Sequence, residues 1–308
     1  MRHRLTYGVL LVAVIGLLWA GSAAGDTIPA GALSTSSAIL GAEGWYAGAL
    51  PPPGLHVIDY TLYYRATALK GQHGRDVTGA PFTDFEAWAI ANVIRPVYVA
   101  DTTIFGANPA WHVVIPIVHK SQRSDFFHQD KTGIGDIYVS PLILGWHSPP
   151  WHWVAGLDVI VPTGAYDKND VTNIGNNHWT FEPAFAITYM GENGFVADTK
   201  LMYDIHTEDH DLNYQEGDQF HLDYNVGYVF GDQRQWHVGL CGYYLTSLEE
   251  DRVNGSRIPG SEERVFAIGP TVAYRAGRLF VEAKVQKEFM AQNRPEGLAA
   301  WLKLIFSF

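Results

Sequence analysis

Residues Gln219–Phe230 read QFHLDYNVGYVF and alternate between two kinds of side chain. Even-numbered positions from Phe220 to Phe230 are large and apolar, whereas His221, Asp223 and Asn225 occupy odd-numbered positions. Successive side chains of a strand point to opposite faces, so this stretch predicts a β-strand with one apolar and one polar face. It is longer than the usual strand of about 5–6 residues. It is also long enough to cross a lipid bilayer, for which a tilted strand needs ~9–11 residues.

The same alternation recurs along the chain and predicts about twelve strands. The last stretch, WLKLIFSF, places Leu302, Leu304, Phe306 and Phe308 on one face and Lys303 on the other. It predicts a strand that closes a barrel against the first strand, and its terminal aromatic residue resembles the signature that barrel assembly machinery reads. The twelve predicted segments are 54–70, 83–100, 108–123, 132–148, 150–167, 178–192, 194–209, 215–231, 234–250, 261–276, 278–294 and 297–308.

A soluble β-sandwich would also alternate, so the connections and the aromatic residues must separate the two folds. Aromatic residues make up 13% of the chain and charged residues only 17%. Several predicted connections are tight, such as the one at Gly231, and they alternate with long polar ones. Aromatic girdles, short turns on one side and long loops on the other are typical of outer-membrane barrels. We therefore predict an all-β fold: a transmembrane, antiparallel, up-and-down β-barrel of about twelve strands over residues 54–308, with outer-membrane lipid as its surroundings.

The first residues indicate export. Arg2 and Arg4 precede an apolar run and then small residues, which is the layout of a secretory signal peptide. We predict cleavage near Ala24, with residues 1–24 as signal and the outer membrane of a Gram-negative bacterium as the destination. Residues 25–53 form an extension rich in Gly, Ala and Ser that ends in three prolines. It is either a loose periplasmic tail or a plug that packs Trp45 and Tyr46 inside the barrel.

Composition and motifs argue against several other functions. The net charge is −11, which disfavours a nucleic-acid partner. We expect no enzyme, because no Gly-x-Ser-x-Gly motif occurs and Ser140 is followed by Pro141 instead of having a histidine partner. No cofactor is expected. The stretch HTEDHD beginning at His206 carries metal-ligand types, but Tyr214 stands where a calcium loop needs glycine. A solvated acidic loop with no metal is the better interpretation.

Alternation also selects the side chains expected to line the lumen. They are charged residues on the polar faces of their strands, with both signs represented. Such residues either rigidify a solvated lumen or set what permeates through it. The candidates are Asp59, Arg65, Glu86, Asp136, Asp158, Glu182, Asp198, Lys200, Asp223, Glu282, Lys284 and Lys303.

Three stretches carry a resemblance to a known family: GIGDIYVSP at 133–141, VPTGAYD at 161–167 and NIGNNHWTFEP at 173–183. Their order and spacing resemble those of the family named for the putative MetA pathway of phenol degradation, whose members are outer-membrane barrels. The resemblance implies a channel for passive uptake of small hydrophobic or aromatic compounds. The alternative is a non-transporting outer-membrane barrel that binds ligands or adheres through its long extracellular loops. For the glycines and prolines in these stretches we favour structural roles, in bends, bulges and strand ends.

Overall fold

The computed structural model describes residues 38–308, so the predicted signal peptide and residues 25–37 of the extension lie outside it. Within the described residues, no helix is long and apolar enough to cross a membrane. The strands are β1 (Gly54–Leu69), β2 (Glu86–Val99), β3 (Asn108–Arg123), β4 (His128–Ile134), β5 (Ile137–Ser148), β6 (Trp151–Val161), β7 (Thr180–Met190), β8 (Phe195–His206), β9 (Tyr214–Gln215), β10 (Gln219–Phe230), β11 (Trp236–Ser247), β12 (Arg252–Val253), β13 (Ser256–Arg257), β14 (Arg264–Ala276), β15 (Leu279–Gln292) and β16 (Pro295–Ser307).

Twelve of these strands form one closed antiparallel barrel, which confirms the predicted fold class. Around the wall the order is β1, β2, β3, β5, β6, β7, β8, β10, β11, β14, β15 and β16. The barrel closes where β16 pairs with β1, in a register that runs from His56 opposite Ser307 to Leu69 opposite Pro295. Closure leaves no bare sheet edge in the wall, which is the condition for a sheet that faces lipid.

The predicted strand 132–148 is divided in the structure, and this is the main departure from the expected pattern. Its first part is β4, which pairs with the C-terminal half of β3. Its second part is β5, which pairs with the N-terminal half of β3. The break lies at Gly135 and Asp136. A Cβ atom on Gly135 would lie 2.9 Å from the Pro116 side chain. The absence of a side chain therefore permits the chain to cross β3 closely at this point.

Side-chain alternation in the wall follows the sequence pattern in β10 and β16. In β10 the odd-numbered residues from Gln219 to Val229 are buried, and the even-numbered ones are partly or fully exposed. In β16, Trp301 and Lys303 are buried whereas Leu302 and Phe306 are exposed. The exposed apolar residues form the outer surface that meets the hydrocarbon of the bilayer.

The long connections at one end of the barrel carry a small sheet of their own. Strands β9, β12 and β13 pair in that order, and Asp251, which precedes β12, bonds to β9 and to the residues that follow it. The Asp251 carboxylate accepts a hydrogen bond from the Tyr214 hydroxyl at 2.8 Å and one from the Gly217 backbone at 2.9 Å. Burial raises the pKa of Asp251 to about 6. Long loops mark the extracellular end of such barrels, and short turns mark the periplasmic end.

This orientation predicts which positions a reagent outside the cell reaches. Asn254 lies exposed in the turn between β12 and β13, and Asn193 lies exposed in the short turn between β7 and β8. We expect Asn254→Cys to react with a membrane-impermeant maleimide on intact cells and Asn193→Cys to react only after lysis. The native Cys241 is buried and provides the unlabelled background. Labelling of Asn193→Cys alone on intact cells would reverse the orientation.

Candidate functional site: the barrel lumen

Residues 38–53, called here the lumen segment, run from the periplasmic end of the barrel into its interior. The segment has no strand of its own, so its backbone N–H groups need partners from the wall. Gly41 and Glu43 each donate a backbone hydrogen bond of 2.9 Å to the Asp223 carboxylate. Further along, the Tyr46 backbone donates to Asp198 at 3.0 Å, and the Gly48 backbone donates to Thr188 at 2.8 Å. Inward-facing acceptors on β7, β8 and β10 therefore hold the segment.

Glu43 joins the lumen segment to a layer of charge across the middle of the barrel. Its carboxylate lies 2.7 Å from the Arg95 guanidinium and 3.6 Å from the Lys303 ammonium. Lys284 donates to the backbone carbonyls of Ala42, at 2.9 Å, and of Glu43. The three wall cations thus converge on one acidic residue and two carbonyls of the segment, which positions the segment by charge as well as by hydrogen bonding.

The rest of the charged layer pairs acidic and basic residues along the wall. Lys200 lies 3.9 Å from Asp158 and 3.7 Å from Glu182. Glu282 lies 3.8 Å from Lys284 and 3.8 Å from Lys303. These pairs are buried inside the barrel, where an unpartnered charge would be costly.

Trp45 and Tyr46 lie in the periplasmic half of the lumen and anchor the segment there. The Trp45 indole donates to the Thr271 hydroxyl at 3.2 Å, and the Tyr46 hydroxyl lies 2.7 Å from His237 Nε2. Both aromatic residues pack against a cluster that includes Phe280. Trp45 is buried and Tyr46 is partly buried against the wall, so stacking of an aromatic solute between the two rings does not fit this packing.

A mainly apolar cavity of about 300 Å³ lies above the charged layer, in the extracellular half of the barrel. The tip of the lumen segment, from Ala38 to Leu40, bounds it from below. Residues 173–176 of the long connection between β6 and β7 contribute another side. Its apolar walls come from inward-facing residues of several strands, including Leu62, Tyr64, Ala91, Val118, Tyr138, Tyr243, Ala299 and Trp301. Polar side chains also border it, among them Lys120, Gln122, Glu288 and Arg294.

Nine of the twelve predicted lumen residues lie inside the barrel or at its break. Asp136 accepts backbone hydrogen bonds of 2.8 Å from both Gly164 and Asn176, so it fastens a loop, and it also borders the cavity. Asp198 and Asp223 hold the lumen segment, as described above. The others belong to the charged layer: Asp158, Glu182, Lys200, Glu282, Lys284 and Lys303.

Asp59, Arg65 and Glu86 lie on the outer face, and their placement in the lumen was wrong. Tyr60 lines the interior, so its neighbour Asp59 points outward. Its carboxylate accepts two hydrogen bonds of 3.1 Å from the Asn92 amide. Arg65 pairs with Glu86 at 2.9 Å near the extracellular end, and side-chain exposure of Arg65 is 53%.

The error has a physical reason, because the inner faces of β1 and β2 are themselves apolar. Ala87, Ala91 and Val93 are buried inward-facing residues, so a rule that assigns polar residues to the lumen inverts this part of the wall. Arg95 was not predicted as a lumen residue, because the residues around it in β2 are apolar on both faces of the strand and show no alternation. It also missed Glu43, because no strand pattern exists around it.

The three sequence motifs meet in space at the break between β4 and β5. Asp136 of the first motif bonds to Gly164 of the second and Asn176 of the third. A Cβ atom on Gly164 would lie 2.5 Å from the Gly175 Cα atom, so the two glycines allow the motifs to pack backbone to backbone. This close packing supports a structural role for Gly164 and Gly175.

A family model described as "Putative MetA-pathway of phenol degradation" matches residues 68–304. The chain belongs to this family. No curated protein matches the chain in sequence. The match covers the strands from the end of β1 into β16, together with the three motifs, and it confirms the resemblance seen in the sequence.

Solved structures extend the likeness of this MetA-pathway family member to its fold. The COG4313 outer membrane channel from Pseudomonas putida F1 is similar, with a TM-score of 0.76 and 15% identity over 86% of this chain and 99% of that one. The β domain of the Bordetella autotransporter BrkA has a TM-score of 0.48 and 8% identity over 83% and 100%. A TodX ΔS2S3 mutant, titled a monoaromatic hydrocarbon channel, has a TM-score of 0.44 and 8% identity over 84% and 91%. The first similarity shows the barrel fold, and the other two structures are too distant to add to it.

Ser140, His112 and Asp158 form a polar cluster with the residue types of a catalytic triad. Contrary to expectation, Ser140 has a histidine neighbour: its hydroxyl lies 2.8 Å from His112 Nε2. Asp158 contacts that same nitrogen at 2.9 Å, while Arg95 faces His112 Nδ1 at 3.0 Å. A nucleophilic triad needs the carboxylate on the imidazole nitrogen remote from serine. A cation occupies that position here, so the cluster is part of the charged layer.

Proposed function

We propose that this protein is an outer-membrane channel for passive uptake of small hydrophobic or aromatic compounds. The observation that carries the proposal is the mainly apolar cavity of about 300 Å³ inside a closed barrel. Its size is at the lower end of small-molecule sites, which span about 300–1,000 Å³. Aromatic and aliphatic walls favour apolar solutes by removing their surface from water. Family membership, named for phenol degradation, supports an aromatic solute.

In this proposal the lumen segment is the gate. A solute enters the apolar cavity from the extracellular end, reaches the tip of the segment near Ile39, and passes to the periplasm when the segment shifts. Opening exchanges hydrogen bonds and ion pairs between segment and wall for contacts with water. The route uses no energy-coupling domain in the described residues. Export by a cleaved signal and insertion by barrel assembly machinery belong to the same proposal.

A test fills the cavity without altering the charged layer. Ala91 is buried and lines the cavity, so Ala91→Phe places an aromatic ring where the solute would lie. We expect cells producing this variant to take up radiolabelled toluene severalfold more slowly than cells with the native barrel. The matched control is Ala155→Phe, in β6, because Ala155 is adjacent to inward-facing Gly156 and points toward lipid. Equal uptake in native and Ala91→Phe cells, at equal amounts of folded barrel, would refute this route.

The alternative is a non-transporting barrel. It is supported by the many contacts that hold the lumen segment in place. The two functions separate when binding and passage are measured on one preparation. Toluene binding to the purified barrel, without toluene-dependent passage across proteoliposomes, would favour the alternative. Passage that Ala91→Phe abolishes would favour the channel.

A further inference from the structure

Three side chains with metal-ligand chemistry converge at the extracellular end of the wall, next to the charged layer but outside the lining of the cavity. His178 precedes β7, His206 ends β8, and Glu216 lies between β9 and β10. They are 5%, 2% and 3% exposed, respectively. One nitrogen of each histidine and one carboxylate oxygen all lie within 4.8 Å of one another. The sheet register explains the meeting, because Thr180 pairs with His206 and His178 is two residues away.

The hydrogen bonds around His178 leave its Nε2 free to face the site. His178 Nδ1 lies 3.3 Å from the Trp179 carbonyl oxygen, which can only accept. The Thr180 hydroxyl lies 3.5 Å from the same nitrogen. A proton on Nδ1 satisfies the carbonyl oxygen, and in that tautomer Nε2 presents a lone pair. That nitrogen faces Glu216 Oε2 at 3.8 Å, so the two atoms share one buried space and need either a proton or a cation between them. A cation bound by both atoms would stabilise this arrangement.

His206 supplies an independent observation. Its Nδ1 lies 3.1 Å from the Thr180 hydroxyl, whereas its Nε2 is buried and has no hydrogen-bond partner. Buried polar atoms are nearly always satisfied, so this nitrogen calls for a ligand. The two imidazole rings are 5.2 Å apart and nearly perpendicular. In addition, Gln219 donates to Glu216 Oε1 at 2.8 Å and holds that carboxylate in place. Ligating histidines and carboxylates are usually oriented by such outer contacts.

We propose that His178, His206 and Glu216 bind a divalent transition-metal ion of the zinc class. Two imidazoles and a carboxylate are a donor set that Zn²⁺ uses, whereas Ca²⁺ and Mg²⁺ prefer oxygen ligands. Zinc–ligand bonds of about 2.0–2.2 Å place two donors of a tetrahedral ion roughly 3.4 Å apart, and the 3.8 Å between His178 Nε2 and Glu216 Oε2 is close to that spacing. The ion would tie the starts of β7 and β10 to the end of β8, and so fasten the long connections to the rim.

A second cluster shows what a non-metal group of the same residue types looks like. Glu182, Asp204 and His221 also lie close together. However, Lys200 stands 3.7 Å from Glu182, and His221 lies 3.2 Å from Asp204. Both carboxylate oxygens of Asp204 and both ring nitrogens of His221 also lack hydrogen-bond partners. The ion pairs with Lys200 and His221 nevertheless offset the two carboxylates, so this cluster belongs to the charged layer. The stretch after His206 contributes nothing further to the proposed site, because Asp209 bonds to Tyr166 and Asn177.

The test measures zinc on the folded, full-length barrel in detergent. After treatment with a chelator and dialysis against Zn²⁺, we expect one tightly held Zn²⁺ per chain by mass spectrometry of the metal. His206→Gln and Glu216→Gln should each lose it. The matched control is His210→Gln, because His210 lies in the same connection with its side chain 88% exposed. That variant should retain the ion. Gln219→Ala, which removes an outer contact, should weaken zinc affinity by about 10-fold.

Cobalt gives a readout that does not depend on any variant folding. Co²⁺ bound by the native protein should show the visible absorption of a low-coordinate nitrogen and oxygen site, and Zn²⁺ should displace it. Failure of the native barrel to bind either ion tightly would overturn the proposal. Equal zinc content in folded native and His206→Gln barrels would also overturn it. Toluene uptake plays no part in these measurements, so the channel proposal stands or falls separately.

Discussion

Deletion of residues 27–48 will raise the single-channel conductance of the purified barrel severalfold. The deletion removes the part of the lumen segment that crosses the barrel, including Glu43, Trp45 and Tyr46, and keeps strand β1. A twelve-stranded barrel is wider than the eight-stranded barrel that wall side chains can fill, so the vacated interior would admit water and ions. Planar-bilayer recordings of native and deleted barrels give the measurement, and leakage of large antibiotics into cells gives a second one.

A point substitution asks whether charge holds the gate closed. Glu43→Gln removes the carboxylate that faces Arg95 and Lys303 and leaves both cations without it. Breaking a buried ion pair from one side costs about 3–5 kcal/mol. A cost near 3 kcal/mol corresponds to a change of roughly 100-fold in the ratio of open to closed segment. We therefore expect more frequent openings, with the open conductance of the deleted barrel.

The control for Glu43→Gln is Glu249→Gln, which removes the same charge from an exposed position in an extracellular connection. It should leave the recordings unchanged. If the deleted barrel conducts no better than the native one, the lumen segment does not restrict the channel. The barrier would then have to lie in the long connections that cover the extracellular end.

Much of the wall could be predicted from the sequence because the physics there is local. Lipid outside and polar groups inside impose a period of two, and β10 and β16 follow it residue by residue. The prediction failed at Asp59 because the lumen is not uniformly polar. Where the inner face borders the apolar cavity, alternation has no contrast, and the register of polar and apolar faces cannot be assigned from one strand alone.

The contents of the lumen were harder to predict, because they depend on pairing between distant segments. Asp223 and Gly41 meet only because the chain enters the barrel that it later builds. Likewise, His178, His206 and Glu216 are separated in sequence and form no motif. Their meeting depends on the register of β7 with β8. Sequence patterns identify which residues face inward, whereas the closed sheet determines which of them become neighbours.

The second large effect concerns the outer face of the closing strand. Leu302 and Phe306 of β16 are 42% and 41% exposed and belong to the apolar surface. A charged residue facing lipid costs up to about 2–4 kcal/mol at mid-membrane, and less for a carboxylate or near the interface. We expect Leu302→Asp to reduce the amount of folded, heat-modifiable barrel in the outer membrane strongly. Phe306→Asp should do so more weakly, because Phe306 lies nearer the end of the strand.

The same strand supplies the control, since its other face turns inward. Ser307 Oγ lies 2.9 Å from His56 Nδ1 inside the barrel, so Ser307→Asp would place its carboxylate beside an imidazole instead of lipid. This variant should assemble at close to the native amount. Gel mobility with and without heating, together with immunoblots of outer-membrane fractions, measures all three variants. β16 pairs with β1 to close the wall. If only the lipid-facing substitutions reduce folded barrel, then assembly depends on the apolar outer face of this closing strand. Normal folded amounts of Leu302→Asp would contradict burial of this face in lipid.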